Sequence, residues 1–249
     1  MKYFLPAILS TVISFSIAHA QPAAAPGGPH FGGAMTKLFG DNQAFSASME
    51  MQTKAKDDDI TMPGKIMFDA GRSRFEMDMT QLKSKRINPD QAAQLKQFGM
   101  EKMVAIDRPD RKVTDLVYPG LESYVENPIT DREMLSSAND FKVEITELGK
   151  ETMDGHPCIK NKSVVTDKDG NKHESTVWNA TDLKNFPVRI ETTEQGNAAT
   201  ILFKDISFAK PDAKLFEVPT TYTKYDSAMT MMRDQMMKKM GVGIPGMGR

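Results

Sequence analysis

The chain has 249 residues, 32 of them basic and 33 acidic, for a formal net charge of −1. That balance excludes the clustered basic excess of a nucleic-acid-binding protein. A hydrophobic share of 39% beside 26% charged residues suits a globular fold with one sizeable core.

Residues 1–20 read as a secretory signal peptide. Lys2 is a minimal positive start, Phe4 to Ile17 is apolar, and Ala18-His19-Ala20 has the small-x-small pattern of a cleavage site. The apolar run is shorter than the roughly 20 residues of a spanning helix. Residues 21–33, rich in Pro, Ala and Gly, read as a flexible linker. Cys158 is the only cysteine, so stability rests on the core and not on an internal disulfide.

Residues 34–225 read as one β domain. Met35, Leu38 and Phe39 belong to a short helix stopped by Gly40. Phe45, Ala47, Met49 and Met51 alternate with polar residues, the two-residue period of a half-buried strand. Ile60 to Asp69 is a second strand, placed at an edge or bulge by Pro63-Gly64. Gly71 then turns the chain into Phe75, Met77 and Met79. A helix follows, with Asn88 as its cap, Pro89 at its first position and Gly99 past its end. Lys102 to Asp107 and Lys112 to Tyr118 form a hairpin, Pro119 to Pro128 a loop, and Thr130 to Ser137 a short capped helix.

From Phe141 onward the pattern is strand, turn, strand. Val143 and Ile145 alternate with charges, and Asp154-Gly155 and Asp169-Gly170 supply tight turns around Cys158 to Thr166. His173 to Asn179, Val188 to Thr193 and Ala198 to Phe208 complete the set. Short strands joined by tight turns pair antiparallel. The spacing predicts about ten strands, enough for the sheet to curl to manage its edges. The fold class is therefore mainly β (α+β), a strongly curved antiparallel sheet with one packed face. Phe45, Met49, Met77, Met79, Val143, Val188 and Ile190 sit on the apolar phase of their strands and are expected on the concave side, lining a ligand cavity.

Residues 226–240 read as an amphipathic helix capped by Asp226, and residues 241–249 as a disordered tail. Nineteen methionines are unusual. Met229, Met232, Met236 and Met240 share one helical stripe, which reads as a lid docked on the sheet, a thioether site for Cu(I), or a partner-binding face. The lid is the favoured reading.

No HExxH, nucleophile elbow or phosphate-binding glycine loop is present, so no catalytic residue, cofactor or resident metal is assigned. His156 and Cys158 supply two ligands where a structural zinc takes four. Asp167, Asp169 and Asn171 lack the calcium-loop glycine position and bidentate Glu, and read as a hairpin turn.

The order of several short blocks carries a resemblance. They are the helix before Phe45-Ser-Ala-Ser-Met, Asp107 to Arg111, Leu116-Val-Tyr-Pro119, Gly155-His-Pro-Cys-Ile, Trp178-Asn-Ala, Phe186-Pro-Val-Arg189 and Leu215-Phe-Glu-Val-Pro219. The layout from Ala34 to Tyr225 resembles the periplasmic lipoprotein-carrier superfamily of LolA, LolB and RseB, and most closely an uncharacterised bacterial family within it. The resemblance implies a half-open β-barrel with helices packed in its concave mouth and an apolar cavity for acyl chains. No functional residue is carried over from it.

Together these readings describe a periplasmic, non-catalytic carrier or sensor for an apolar chain, a lipid or the acyl group of a lipoprotein. The alternative is an envelope structural or interaction protein with its own protein partner, Cu(I)-responsive through the methionine-rich helix. If the signal-peptide reading holds, N-terminal sequencing of the protein from its envelope fraction begins at Gln21; retention of Met1 in the mature protein would refute it.

Overall fold

The structure is a computed structural model and describes residues 33–54, 58–85, 89–129, 140–194 and 197–239. The expected signal peptide, most of the linker, the 130–137 helix, the Asn88 cap and the tail lie outside the described residues.

Twelve strands form one curved, unclosed sheet. In chain order they are β1 (Ala44–Lys54), β2 (Asp59–Asp69), β3 (Arg72–Asp78), β4 (Lys102–Arg108), β5 (Val113–Tyr118), β6 (Ser123–Pro128), β7 (Lys142–Met153), β8 (His156–Thr166), β9 (Lys172–Ala180), β10 (Phe186–Glu194), β11 (Asn197–Ser207) and β12 (Thr223–Tyr225). The spatial order is β12-β6-β5-β4-β3-β2-β1-β11-β10-β9-β8-β7. Two antiparallel meanders, β1–β6 and β7–β11, are joined where β1 pairs with β11. Local turn chemistry agrees with this plan. Asp154 and Gly155, between β7 and β8, both take positive φ, the geometry that matches the twist of a tight hairpin.

Two strands depart from the expected pattern. The segment read as a loop after Tyr118 contains β6, which pairs antiparallel with β5. The three residues of β12 pair with β6 in parallel, an exception to the all-antiparallel expectation. β2 is an interior strand whose register with β1 runs unbroken through Pro63 and Gly64. The proline is accommodated because β3 pairs with β2 only from Gly64 onward. Thr61 bonds Lys83 on that side, and Pro63, two residues on, turns its missing N–H the same way. Gly64 is required by close approach: a Cβ there would lie 2.6 Å from the Phe75 ring and from the Glu76 carbonyl.

The sheet has an inner and an outer apolar face. On the inner face, helix α1 (Gly33–Leu38) leads into Phe39, which is buried in a core of Phe45, Met49, Ile66, Phe68, Phe75, Met77, Phe186, Ile190 and Phe203. The Phe39 ring lies 4.8 Å from that of Phe45, 5.6 Å from Phe186, 5.7 Å from Phe68 and 5.9 Å from Phe203. Helix α2 (Pro89–Phe98) begins at Pro89 as its sequence requires and sits beside the turn that follows β3. Helix α3 (Ala228–Lys239) packs on the inner side of β6 and β12. On the outer face, the segment after β11 crosses β3, β4 and β5 and inserts Phe216 against Val104, Ile106 and Val117.

Phe39 is the joint between α1 and the sheet. Phe39→Ala is expected to cost about 3–5 kcal/mol in urea unfolding, the range for emptying a buried aromatic site. A variant as stable as wild type would show that α1 does not close the core.

Candidate functional site

Of the seven residues expected to line a concave cavity, five are buried and two, Met79 and Val143, are half-buried. Phe45, Met49, Met77 and Ile190 do point to the inner face, yet they are 0%, 2%, 5% and 0% exposed. Phe39 and its neighbours fill the space in front of them. Met79 falls in a short 3-10 turn after β3 and packs, half-buried, against the same core. Val143 lies at the other end of the inner face, beside Ala34, Phe141 and Val165.

Val188 is a correction. It alternates with Ile190 in sequence but packs with Cys158, Trp178 and Ala180 on the opposite face. The cause is a bulge between Pro187 and Arg189, where β10 carries an extra residue opposite β9. Arg189 still pairs with Trp178, and Val188 is turned to the same side.

The methionine helix is also reoriented. Its cap is Ser227 in place of Asp226: the Ser227 hydroxyl accepts from the Thr230 N–H at 3.1 Å. Met231 is the residue that docks, fully buried against Ala105, Leu116, Tyr118 and Val125. Met229, Met232 and Met236 are on the solvent side, at 80%, 39% and 47% exposure, and Met240 lies outside the described residues. These three are therefore not an inward lid. With methionine at five of the twelve helix positions, the helix has more than one apolar face, and Met231 fits the hollow that β4–β6 offer.

His156 and Cys158 do not converge on a ligand. The His156 Nδ1 is 2.8 Å from the Asp182 carboxylate. The buried Cys158 thiol donates to the His156 carbonyl at 3.4 Å, and burial raises its pKa. Asp167 accepts from the Asp169 and Asn171 backbone N–H groups, closing a turn on itself.

A groove of about 590 Å³ runs along the outer face over β11, β1, β2, β3 and β4. Cross-strand registers place its residues in rows. Leu202 faces Glu50, which faces Pro63; Lys204 faces Ser48, which faces Lys65; and Lys65 faces Glu76, which faces Val104. Leu202, Pro63 and Val104 give it an apolar floor, and the exposed Lys65, Lys102 and Lys204 stand at its rim. Lys204 pairs with Asp154 at 3.4 Å, and the charges below the rim are engaged too. Arg74 pairs with Glu76 at 2.7 Å and donates to the Leu215 carbonyl, and Glu50 accepts from Gln52. Asp78 accepts from the Thr80 hydroxyl, and that hydrogen bond holds its carboxyl below the usual range. The sequence offered one sign of this groove, a single lysine on each of three strands expected to have a solvated face, Lys65, Lys102 and Lys204. Its volume depends on sheet curvature and on where the outer strap ends.

No family model and no curated protein matches the chain. The chain is similar in fold to several solved structures. One, a LolA superfamily protein from Nitrosomonas europaea, is 10% identical over 74% of this chain and 94% of that one, with a TM-score of 0.35. The lipoprotein LppX of Mycobacterium tuberculosis is 10% identical over 70% of this chain and 93% of its own, at a TM-score of 0.40. MucB in the Pseudomonas aeruginosa MucA/MucB complex is matched at 11% identity over 76% of this chain and 61% of that one, at 0.36.

Beside the groove, the strap is held by charge as well as by Phe216. Arg108, 5% exposed, forms an ion pair with Asp115 at 2.7 Å and donates to Glu217 of the strap at 2.8 Å. Arg72 stacks on Phe216 with its guanidinium 4.9 Å from the ring centre. Asp115 is fully buried, and burial pushes its carboxyl pKa up, with Arg108 pulling against it. A raised folded pKa means the fold favours protonated Asp115. Its contribution to stability is full in acid and falls as pH rises through that value. At neutral pH, Arg108→Met leaves the carboxylate uncompensated and is expected to cost about 3–5 kcal/mol. The cost should shrink as pH is lowered and Asp115 takes up a proton. Urea unfolding of both proteins across this range reads the difference; a gap that does not change with pH would count against the assignment.

Proposed function

We propose that the chain is an exported, non-catalytic binding protein for an amphiphilic chain, such as a lipid or the acyl group of a lipoprotein, and that the chain lies in the outer groove. The observation that carries this is the pairing of an apolar floor, Leu202, Pro63 and Val104, with a lysine rim of Lys65, Lys102 and Lys204. Lysine stems add apolar surface while their ammonium groups stay in water. The rim is thus suited to a carboxylate or phosphate head, and the floor to a hydrocarbon tail. The volume falls within the few hundred to about 1,000 Å³ of ligand sites. The groove's carboxylates are tied to Arg74, Gln52 and Thr80. The signal-like N-terminus supports export, and the sequence resemblance to lipoprotein carriers supports an acyl cargo.

Displacement of a fluorescent fatty acid tests the reading. Leu202→Asp puts a charge on the floor and should weaken binding roughly tenfold or more, since losing a buried apolar side chain costs about 1.5–3 kcal/mol. Lys65→Glu with Lys102→Glu should weaken it further and flatten its salt dependence. Met62→Asp, at the half-buried rim of the inner face, should do little. The reverse pattern would put the acyl chain on the inner face. No binding by the wild type would refute the proposal.

A further inference from the structure

Arg74 lines the outer groove where the groove meets the strap. Its place follows from the strand register. Leu202, Glu50 and Pro63 lie in one cross-strand row, and Ser48, Lys65, Glu76 and Val104 in the next. Arg74 stands one row further on, between Met67 of β2 and Ile106 of β4. Both of these pack in the cluster around Phe216, so this row runs under the strap.

The Arg74 side chain is 18% exposed, whereas the lysines of the rim stand in solvent. Two acceptors hold it. Nε donates to Glu76 at 2.7 Å and Nη1 to the Leu215 carbonyl at 3.0 Å. A guanidinium has five N–H donors in a planar fork, and these two bonds leave Nη2 uncommitted. Lys65 faces Glu76 from the neighbouring strand, so Arg74, Lys65 and Glu76 together carry net positive charge. An oxyanion placed here meets a donor already held in place and partly stripped of water. It gains more from that donor than from a hydrated ammonium on a mobile stem.

We propose, building on the groove reading above, that Arg74 selects the head of the bound amphiphile. Its Nη2 edge takes a carboxylate or phosphate, so the chain lies with its head against the strap and its tail toward Leu202 and Pro63. The rim lysines attract the ligand, and Arg74 discriminates. A hydroxyl head gains less at the same place, because hydrogen bonds between charged groups are about twice as strong as neutral ones.

The test is displacement of an uncharged fluorescent probe, phenylnaphthylamine, by three competitors with the same saturated tail: a fatty acid, an alkyl phosphate and a fatty alcohol. Wild type should bind the two anions about tenfold or more tightly than the alcohol. Arg74→Gln should remove most of that preference and leave affinity for the alcohol little changed. Arg74→Lys, a milder change that keeps the charge without the fork, should fall between the two. Glu217→Gln loosens the strap but keeps Arg74, and should leave the preference intact. Anions and alcohol bound equally by wild type, or a glutamine variant with the full preference, would overturn the role of Arg74 while the groove reading stood. A preference lost in Glu217→Gln as well would assign the effect to the strap and overturn it too. A wild type that binds none of the three would remove the groove reading and this inference with it.

Discussion

The inner face of the sheet is held shut by a ring inserted among rings. Phe39 reaches from α1 into a pocket of Phe45, Phe68, Phe186 and Phe203, drawn from both meanders. A six-residue helix has no stability of its own in water, so α1 exists because that contact holds it. The same contact fills the concave side, and the space left for a ligand moves to the other face. The groove adjoins the outer strap: Val104 lies in its floor and also packs in the cluster around Phe216.

The two faces are closed by different physics. The inner face uses apolar and aromatic packing, with α1 at one side and Met231 of α3 at the other. The outer strap adds the buried Arg108–Asp115 pair and its extension to Glu217. Such a pair is weak evidence of net stability, because desolvation of both ions opposes their attraction. What it supplies is position: Arg108 has two carboxylate partners, one on the sheet and one on the strap, so the strap has one register in which both are met.

Strand alternation made most of the fold legible in the sequence. Phe45, Ala47 and Met49 face one way and Ser46, Ser48 and Glu50 the other, as their two-residue period required. Features that depend on partners far along the chain were not legible. β12 is three residues whose only sheet neighbour, β6, lies about a hundred positions earlier, and nothing local marks it. β6 itself ends in Glu126, Asn127 and Pro128, a turn-like composition that hid a strand. Val188 obeyed alternation in sequence, and a one-residue bulge reversed its face. For α3 the period was right but the phase was open, since methionines on two sides of the helix satisfy the same pattern. The candidate site was the least legible part, because a groove is made by curvature and by what covers its neighbours.

The β1–β11 ladder joins the first strand of the described chain to the last strand of the second meander. The hairpins on either side close short loops and can form independently and fast, whereas this seam must close across nearly the whole domain. Until β11 is synthesised, β1 presents an unpaired edge carrying Phe45 and Met49, and Phe39 lacks the Phe203 and Phe186 half of its pocket. Order of assembly is thus written into the topology: two half-sheets, then the seam, then α1. An early half-sheet with an apolar edge is an aggregation hazard, so the interval before the seam closes is when this chain most needs a holding chaperone.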